Sequence, residues 1–129
     1  FSKIEKEAHE RGLAVIGWMY PRGKHIDKDI DIDKGTLAYA ARLGLELNAD
    51  AVKIKYTGDV ESFKKVVAAA GRAKVFVVGG PQAETVEDVY QMAQEVIEAG
   101  AVGLAVGRNV WQAENPLEIA KQLAEIIYK

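Results

Sequence analysis

Two lysines, Lys53 and Lys55, lie in the stretch 49–58, which has the composition of a short buried β-strand. Strand side chains alternate between two faces, so both lysines are predicted to lie opposite Val52 and Ile54. A lysine that is desolvated or lies beside another cation loses its proton more readily, and a neutral amine can attack a carbonyl to form a Schiff base. The same pattern is typical of a half-exposed strand whose lysines reach water. The strand alone does not choose between the two amines.

Two glycine-containing turns could bind an anion. Gly79 and Gly80 follow the third apolar segment, and Gly107 and Arg108 follow the fourth. Glycines let the main chain approach an anion and expose amides to its oxygens, and a guanidinium can add a bidentate contact. Tight turns without a ligand are the alternative, but the pair of turns favours a phosphate site. Neither is a P-loop or a dinucleotide fingerprint, because the required spacings are missing.

Aromatic and histidine side chains are further candidates for site residues. Tyr20 and Trp18 share a face at the end of the first apolar segment. The Tyr20 hydroxyl could transfer protons or be a hydrogen-bonded phenol at the sheet margin, whereas Trp18 suits packing or a substrate wall. His9 is predicted on a surface helix and His25 in a polar loop, without metal-ligand spacing between them.

Alternating aspartates occupy the polar loop 21–34, at Asp27, Asp29, Asp31 and Asp33. A calcium-binding EF-hand loop needs Gly at its sixth position and Glu at its twelfth. Counted from Asp27 or from Asp29, neither position has the required residue. The loop is therefore predicted to be solvated rather than a metal site.

Amphipathic helices alternate with near-continuous apolar strands along the chain. Strands are predicted at 13–20, 49–58, 75–78 and 102–106, with helices at 1–12, 35–47, 59–71, 85–100 and from 115 onward. This order predicts an α/β fold of parallel (β/α) units. In such sheets and barrels, sites form at the carboxyl ends of the strands, where the unusual residues of this chain concentrate.

Composition limits the classes of function. The 129 residues suffice for one domain or part of one, and 49% of them are hydrophobic. A net charge of -2 favours neither a nucleic-acid surface nor a membrane anchor, and no apolar run is long enough for a membrane span. The lack of cysteine excludes disulfides and thiolate chemistry and is compatible with the cytoplasm. Many Lys and Glu residues fit a thermophilic source. Phe1 suggests that this is not a natural chain start.

Four segments resemble archaeal-type class I fructose-1,6-bisphosphate aldolases: 18–23 (WMYPRG), 50–58 (DAVKIKYTG), 78–81 (VGGP) and 105–112 (AVGRNVWQ). The resemblance covers nearly the whole chain. It implies one half-barrel domain over 1–129, namely the C-terminal half, strands five to eight, of a TIM (β/α)8 barrel. It also implies a metal-independent lyase without a cofactor. That enzyme reversibly cleaves fructose-1,6-bisphosphate to dihydroxyacetone phosphate and glyceraldehyde-3-phosphate in glycolysis and gluconeogenesis.

The resemblance also assigns roles. Lys53 matches the Schiff-base lysine, Lys55 a neighbour, Tyr20 an acid/base and Trp18 an aromatic near the substrate. The residues that match the binding site for the phosphate of dihydroxyacetone phosphate are Gly79, Gly80, Gly107 and Arg108. The implied ligand is a small sugar phosphate rather than nucleic acid or membrane, and the implied partner is a copy of the chain in a homo-oligomer or a complementary half-barrel.

The sequence departs from the family in two respects. Val78 stands where some members have a hydroxyl residue, and a catalytic Asp of the family's first strand has no counterpart in these residues. A half-barrel also has open edges, so a fragment or paired half-barrels are expected. Two alternatives stay open: a related aldolase-like synthase of an aromatic amino acid precursor, and a non-catalytic phosphate-binding or assembly module.

Overall fold

Four parallel strands form one sheet in the order β1-β2-β3-β4. The structure is a computed structural model, and it describes residues 1–26, 30, 32–80 and 83–128. The strands are β1 Ile16–Trp18, β2 Ala51–Ile54, β3 Lys74–Val78 and β4 Gly103–Ala105. Sequential neighbours pair along the whole sheet, so the predicted succession of parallel (β/α) units is confirmed.

Helices alternate with these strands. They are α1 Ser2–Glu10, α2 Lys34–Glu46, α3 Val60–Ala69, α4 Val86–Glu98, α5 Arg108–Trp111 and α6 Pro116–Ile127. The carboxylate of Asp59 caps α3 by accepting from the Ser62 amide, and Thr85 and Asp88 form a capping box at α4. Asp33 was predicted as part of a solvated loop but caps α2, where its carboxylate accepts from the amides of Gly35 and Thr36.

The core lies between the helices and one face of the sheet. Apolar strand residues alternate onto that face, and the helices cover them with their own apolar stripes. The fully buried members with the largest side chains are Phe63, Leu37, Ile54, Val52, Val66, Val75, Val77 and Val96. A second cluster, between α4 and α6, is formed by Val89, Ala93, Ile119 and Leu123. The core therefore fixes the orientation of the opposite face.

That opposite face carries a row in which Trp18, Lys53, Phe76 and Gly103 are register partners across the four strands. The prediction of a buried strand over 13–20 is wrong. β1 has only three residues, and Ile16 and Trp18 are 51% and 68% exposed. β1 pairs with β2 alone, and none of the described residues covers its inner face enough to bury these side chains.

The loops after the strands differ in part from the predictions. The short helix α5 was not predicted, and it places Arg108 at a helix start rather than in a turn. The predicted acidic loop falls largely on Asp27, Asp29 and Asp31, which lie outside the described residues, as does Pro81. Within the described residues, no helix is long and apolar enough to cross a membrane, and no group of three or more His, Asp or Glu residues could hold a metal.

Candidate active site

Lys53 lies on β2 beside Trp18 of β1. The two residues are register partners, and the ammonium nitrogen of Lys53 is 4.0 Å from the centre of the Trp18 ring. An ammonium at this distance is attracted by the negative face of the indole. Tyr20 follows on the same side, with its ring centre 6.3 Å from that of Trp18 at an angle of 63°. The structure thus brings the predicted lysine and both predicted aromatics together.

The amine and the two glycine turns share a cavity. A pocket of about 320 Å³ is lined by Lys53 together with all four predicted phosphate residues: Gly79, Gly80, Gly107 and Arg108. Lys55 does not line it. That lysine instead lines a neighbouring pocket of about 480 Å³, with Tyr20, Arg22 and Arg108. The strand pattern placed both lysines on one face, whereas the structure gives them different pockets.

The main chain at the two turns leaves little room for side chains. A Cβ on Gly79 would lie 2.7 Å from Cγ1 and 3.0 Å from Cα of Val106, and one on Gly107 would lie 2.6 Å from the Trp111 ring. Gly80 has a φ of +64°, in the left-handed region that glycine tolerates best. Close approach at two positions and a left-handed turn at the third explain why glycine occupies these turns.

Asn109 was not among the predicted site residues. Its side-chain amide donates to the carbonyl oxygen of Gly79 at 3.1 Å, and its amide oxygen accepts from the amide of Ala83 at 2.9 Å. It lines the same pocket as Lys53. The only signal in the sequence is its position directly after Gly107 and Arg108, and that signal does not indicate which main-chain groups it binds.

Two tyrosines at this end of the sheet have perturbed hydroxyls. Burial raises the pKa of Tyr20, against the opposing charge of Arg22. Burial, and then a 2.9 Å hydrogen bond donated to Glu95, raises the pKa of Tyr56. Tyr56 also packs edge-on against Phe63, with ring centres 5.2 Å apart. It thereby anchors the chain just after Lys53 to the helix layer. Both tyrosines line the neighbouring pocket that contains Lys55.

A larger cavity of about 650 Å³ lies between α4, α5 and α6 and shares Arg108 and Asn109 with the pocket beside Lys53. Its wall includes four glutamates: Glu84, Glu87, Glu114 and Glu118. Carboxylates repel an anion, so the smaller pocket beside Lys53 suits a phosphate better.

His9 belongs to a cluster at the other end of the sheet. Its Nε2 is 2.8 Å from the Asp50 carboxylate, and its Nδ1 is 2.7 Å from that of Glu5. Asp50 precedes β2 and also accepts from the Val15 amide at 2.7 Å. His9 therefore lies on a surface helix, as predicted, but its ring also contacts the residue that precedes β2, which the sequence did not indicate. This cluster joins elements and is remote from the pocket.

The fold and site place the chain in the barrel class of α/β proteins, with polar residues gathered at the carboxyl ends of parallel strands. It belongs to the DeoC/LacD family of aldolases, because that family's model matches residues 1–113. The chain is similar to the class 1 fructose-bisphosphate aldolase of Thermoproteus tenax, with 45% identity over 127 residues, 98% of this chain and 48% of the relative. The corresponding enzyme of Halobacterium salinarum is 40% identical over 129 residues, 100% of this chain and 48% of the relative.

Solved structures support the same family. An archaeal fructose-1,6-bisphosphate aldolase whose catalytic lysine is bound to the carbinolamine intermediate of its substrate is 43% identical, with a TM-score of 0.94 over 99% of this chain and 50% of that one. The chain therefore spans about half the length of the relatives that it matches. Its four (β/α) units are half of a TIM barrel, as predicted.

Proposed function

We propose that the full-length protein is a class I fructose-1,6-bisphosphate aldolase and that Lys53 is its Schiff-base lysine. The observation that carries the proposal is that Lys53, both glycine turns and Arg108 line one pocket. An amine and an anion site in one cavity suit a ketone that carries a phosphate. The aldolase names of the relatives support this choice of substrate.

The reaction uses the amine of Lys53 as a nucleophile. Its nitrogen bonds to the carbonyl carbon C2 of the open-chain sugar, the carbonyl oxygen takes up a proton, and loss of water leaves a protonated imine. Removal of the C4 hydroxyl proton breaks the C3–C4 bond, and its electron pair moves into the imine to give an enamine. Glyceraldehyde-3-phosphate leaves. Protonation of the enamine at C3 and addition of water then release dihydroxyacetone phosphate and restore the lysine.

Tyr20 is the proposed carrier of the protons in these steps. Its hydroxyl is protonated at neutral pH, and it could pass a proton to the substrate and take one back. Burial raises its pKa further above neutrality. Trp18 holds the amine and forms the wall between Lys53 and Tyr20. The glycine turns bind the phosphate next to the attacked carbon, which converts binding energy into orientation of the ketone.

The neighbouring pocket supports a substrate with a second phosphate. It is lined by the cationic side chains of Arg22, Lys55 and Arg108 together with Tyr20. Arg108 and Gly80 line both pockets, so the two cavities are contiguous at those residues. A sugar with a phosphate at each end could therefore span them, with its scissile bond between Lys53 and Tyr20.

Covalent trapping tests the proposal. The full-length protein is mixed with dihydroxyacetone phosphate, reduced with borohydride, and analysed by intact mass and peptide mapping. We expect a reduced adduct on Lys53, no adduct in Lys53→Met, and a retained adduct in Lys55→Met, the matched control from the same strand end. An adduct on Lys55, or normal turnover in Lys53→Met, would overturn the assignment. A panel of aldol substrates distinguishes the fructose bisphosphate enzyme from a related synthase.

The exposed face of the sheet that carries Ile16 and Trp18 suits a partner that supplies further barrel strands. Ile16 and Trp18 are 51% and 68% exposed on the face that other strands cover in a closed barrel. The proposed partner of this face is the remaining half of a barrel, supplied by the same protein or by a second copy. Intact mass of the natural protein and its size in solution distinguish these two sources.

A further inference from the structure

The side chain of Asn109 joins the two glycine turns. Asn109 is the second residue of α5, which begins directly after Gly107. Its amide nitrogen donates to the carbonyl of Gly79, and its amide oxygen accepts from the amide of Ala83, at 3.1 and 2.9 Å. Gly79 follows β3, and Ala83 lies four positions further along the chain. One planar group therefore connects both residues to α5.

These contacts need a primary amide. Asparagine carries a donor and an acceptor on one rigid group, whereas aspartate could accept from Ala83 but could not donate to Gly79. Leucine, which has a similar shape, could do neither. Both hydrogen bonds are partly buried, so removal of the amide leaves main-chain groups without these partners in a place that water reaches poorly.

The two hydrogen bonds of Asn109 lie just beyond the end of the hydrogen-bond ladder between β3 and β4. The amide of Gly79 donates to the carbonyl of Ala105 at 3.1 Å, just beyond the last paired residues of β3 and β4. Past this bond, Gly80 turns into the left-handed region, with a φ of +64°. Asn109 extends the connection between the two strand ends beyond the ladder and forms part of the wall of the pocket that contains Lys53.

We propose that Asn109 is a positioning residue that sets the separation of the two phosphate-binding turns. The inference rests on the proposed function, because it takes the pocket beside Lys53 to be the phosphate site. An anion held by donors from both turns needs them at one spacing, and preorganised donors cost nothing to arrange at the moment of binding. Asn109 therefore acts through Gly79 and Gly80 rather than on the reacting atoms.

Asn109→Leu in the full-length protein tests this role. Binding of dihydroxyacetone phosphate is measured by calorimetry, and imine formation at Lys53 is measured separately by borohydride trapping with unphosphorylated dihydroxyacetone. We expect affinity for the phosphorylated ketone to fall about tenfold or more, the size of effect that loss of a partly buried hydrogen bond produces. Trapping of the unphosphorylated ketone should change less than about twofold, because the lysine is untouched. Asn115→Leu, at the start of α6, is the matched control and should leave both readouts unchanged.

The two measurements distinguish a positioning role of Asn109 from general damage to the fold. Unchanged affinity for the phosphorylated ketone in Asn109→Leu overturns the inference, and so does an equal loss in both readouts, which indicates general damage to the fold. If Asn109→Leu does not fold, Asn109→Ser, whose side chain is too short to span both contacts, is measured in its place. If the wild type binds the phosphorylated ketone but forms no imine, the aldolase proposal fails while the affinity comparison still decides the role of Asn109. If the wild type does not bind it, both fail.

Discussion

The ammonium nitrogen of Lys53 lies 4.0 Å from the centre of the Trp18 ring. The pairing of β1 with β2 creates this contact, because Trp18 and Lys53 are register partners on the same face. A lysine side chain has several freely rotating bonds, and the indole face favours the rotamers that keep the amine over it. Trp18 therefore directs the amine of Lys53.

Trp18→Leu tests this relationship. A rotamer preference worth about 0.5–1 kcal/mol corresponds to a roughly two- to fivefold difference in how often the amine lies over the ring. If that position is the one from which the amine attacks, trapping of dihydroxyacetone phosphate at Lys53 should slow by a similar factor. The trapping rate of Trp18→Phe should lie between those of Trp18→Leu and the wild type, because the smaller ring keeps part of the attraction. Tyr39→Leu removes a similarly exposed aromatic from α2 and should leave the rate unchanged. Equal rates in Trp18→Leu and the wild type would show that the ring does not direct the amine.

Tyr20→Phe separates proton transfer from binding. Burial raises the pKa of Tyr20 above its ordinary value of 10, so the hydroxyl is protonated throughout the neutral range. Loss of a general acid or base lowers kcat by about 10²- to 10⁴-fold, whereas the glycine turns proposed to bind the phosphate are untouched. We expect kcat to fall by about that amount and affinity for dihydroxyacetone phosphate to change little. Tyr39→Phe is the control, and a Tyr20→Phe enzyme with nearly normal kcat contradicts the proposed role.

The sequence alone was sufficient to predict which side chains share a strand face and that Lys53 lies near the two glycine turns. Alternation placed Lys53 opposite Val52 and Ile54, and the rule that sites lie at the carboxyl ends of parallel strands brought both glycine turns to it. These predictions depend on local geometry and topology alone. They succeed because a strand's side-chain period and the chirality of its connections do not depend on the packing details.

The features that could not be predicted from the sequence depend on tertiary contacts. β2 ends at Ile54, so alternation no longer governs Lys55, which lines the neighbouring pocket. The four residues of α5 are too few to show a helical period, and Asn109 binds a carbonyl 30 positions away. The exposure of Trp18 depends on which residues cover the inner face of the sheet, and the sequence of β1 does not indicate this.

Gly107→Ala tests the tight approach beneath Trp111. A Cβ at this position would lie 2.6 Å from the ring, so the ring or the turn must move. Overpacking of a closed core costs typically about 1–3 kcal/mol, but the Trp111 side chain is 68% exposed and is able to move aside. We therefore expect a loss of stability to urea at or below the lower end of that range, together with weaker binding of dihydroxyacetone phosphate. Trp111→Leu removes the obstructing ring. Gly107→Ala should therefore cost much less in the Trp111→Leu background, and strict additivity of the two changes would contradict the steric explanation.

The ion pair between His9 and Asp50 predicts a pH-dependent stability. The hydrogen bond to Asp50, opposed in part by desolvation, raises the pKa of His9 above its ordinary value of 6.5. A raised histidine pKa contributes stability that is fully present below about 6.5 and is lost as pH rises through the folded-state pKa. The Val15 amide, and then His9, lower the pKa of Asp50 below 3.8, so its contribution is present above that value and is lost as pH falls through the lowered pKa.

Thermal melts from about pH 4 to pH 9 check this prediction, because both contributions are present together only between the two ordinary pKa values. We expect the wild type to lose Tm from about pH 6.5 upward relative to His9→Gln, whose amide keeps hydrogen bonding without a charge. His25→Gln, which replaces an exposed histidine of the polar loop, should follow the wild-type curve. Parallel curves for the wild type and His9→Gln would mean that the contact with Asp50 does not couple protonation to folding.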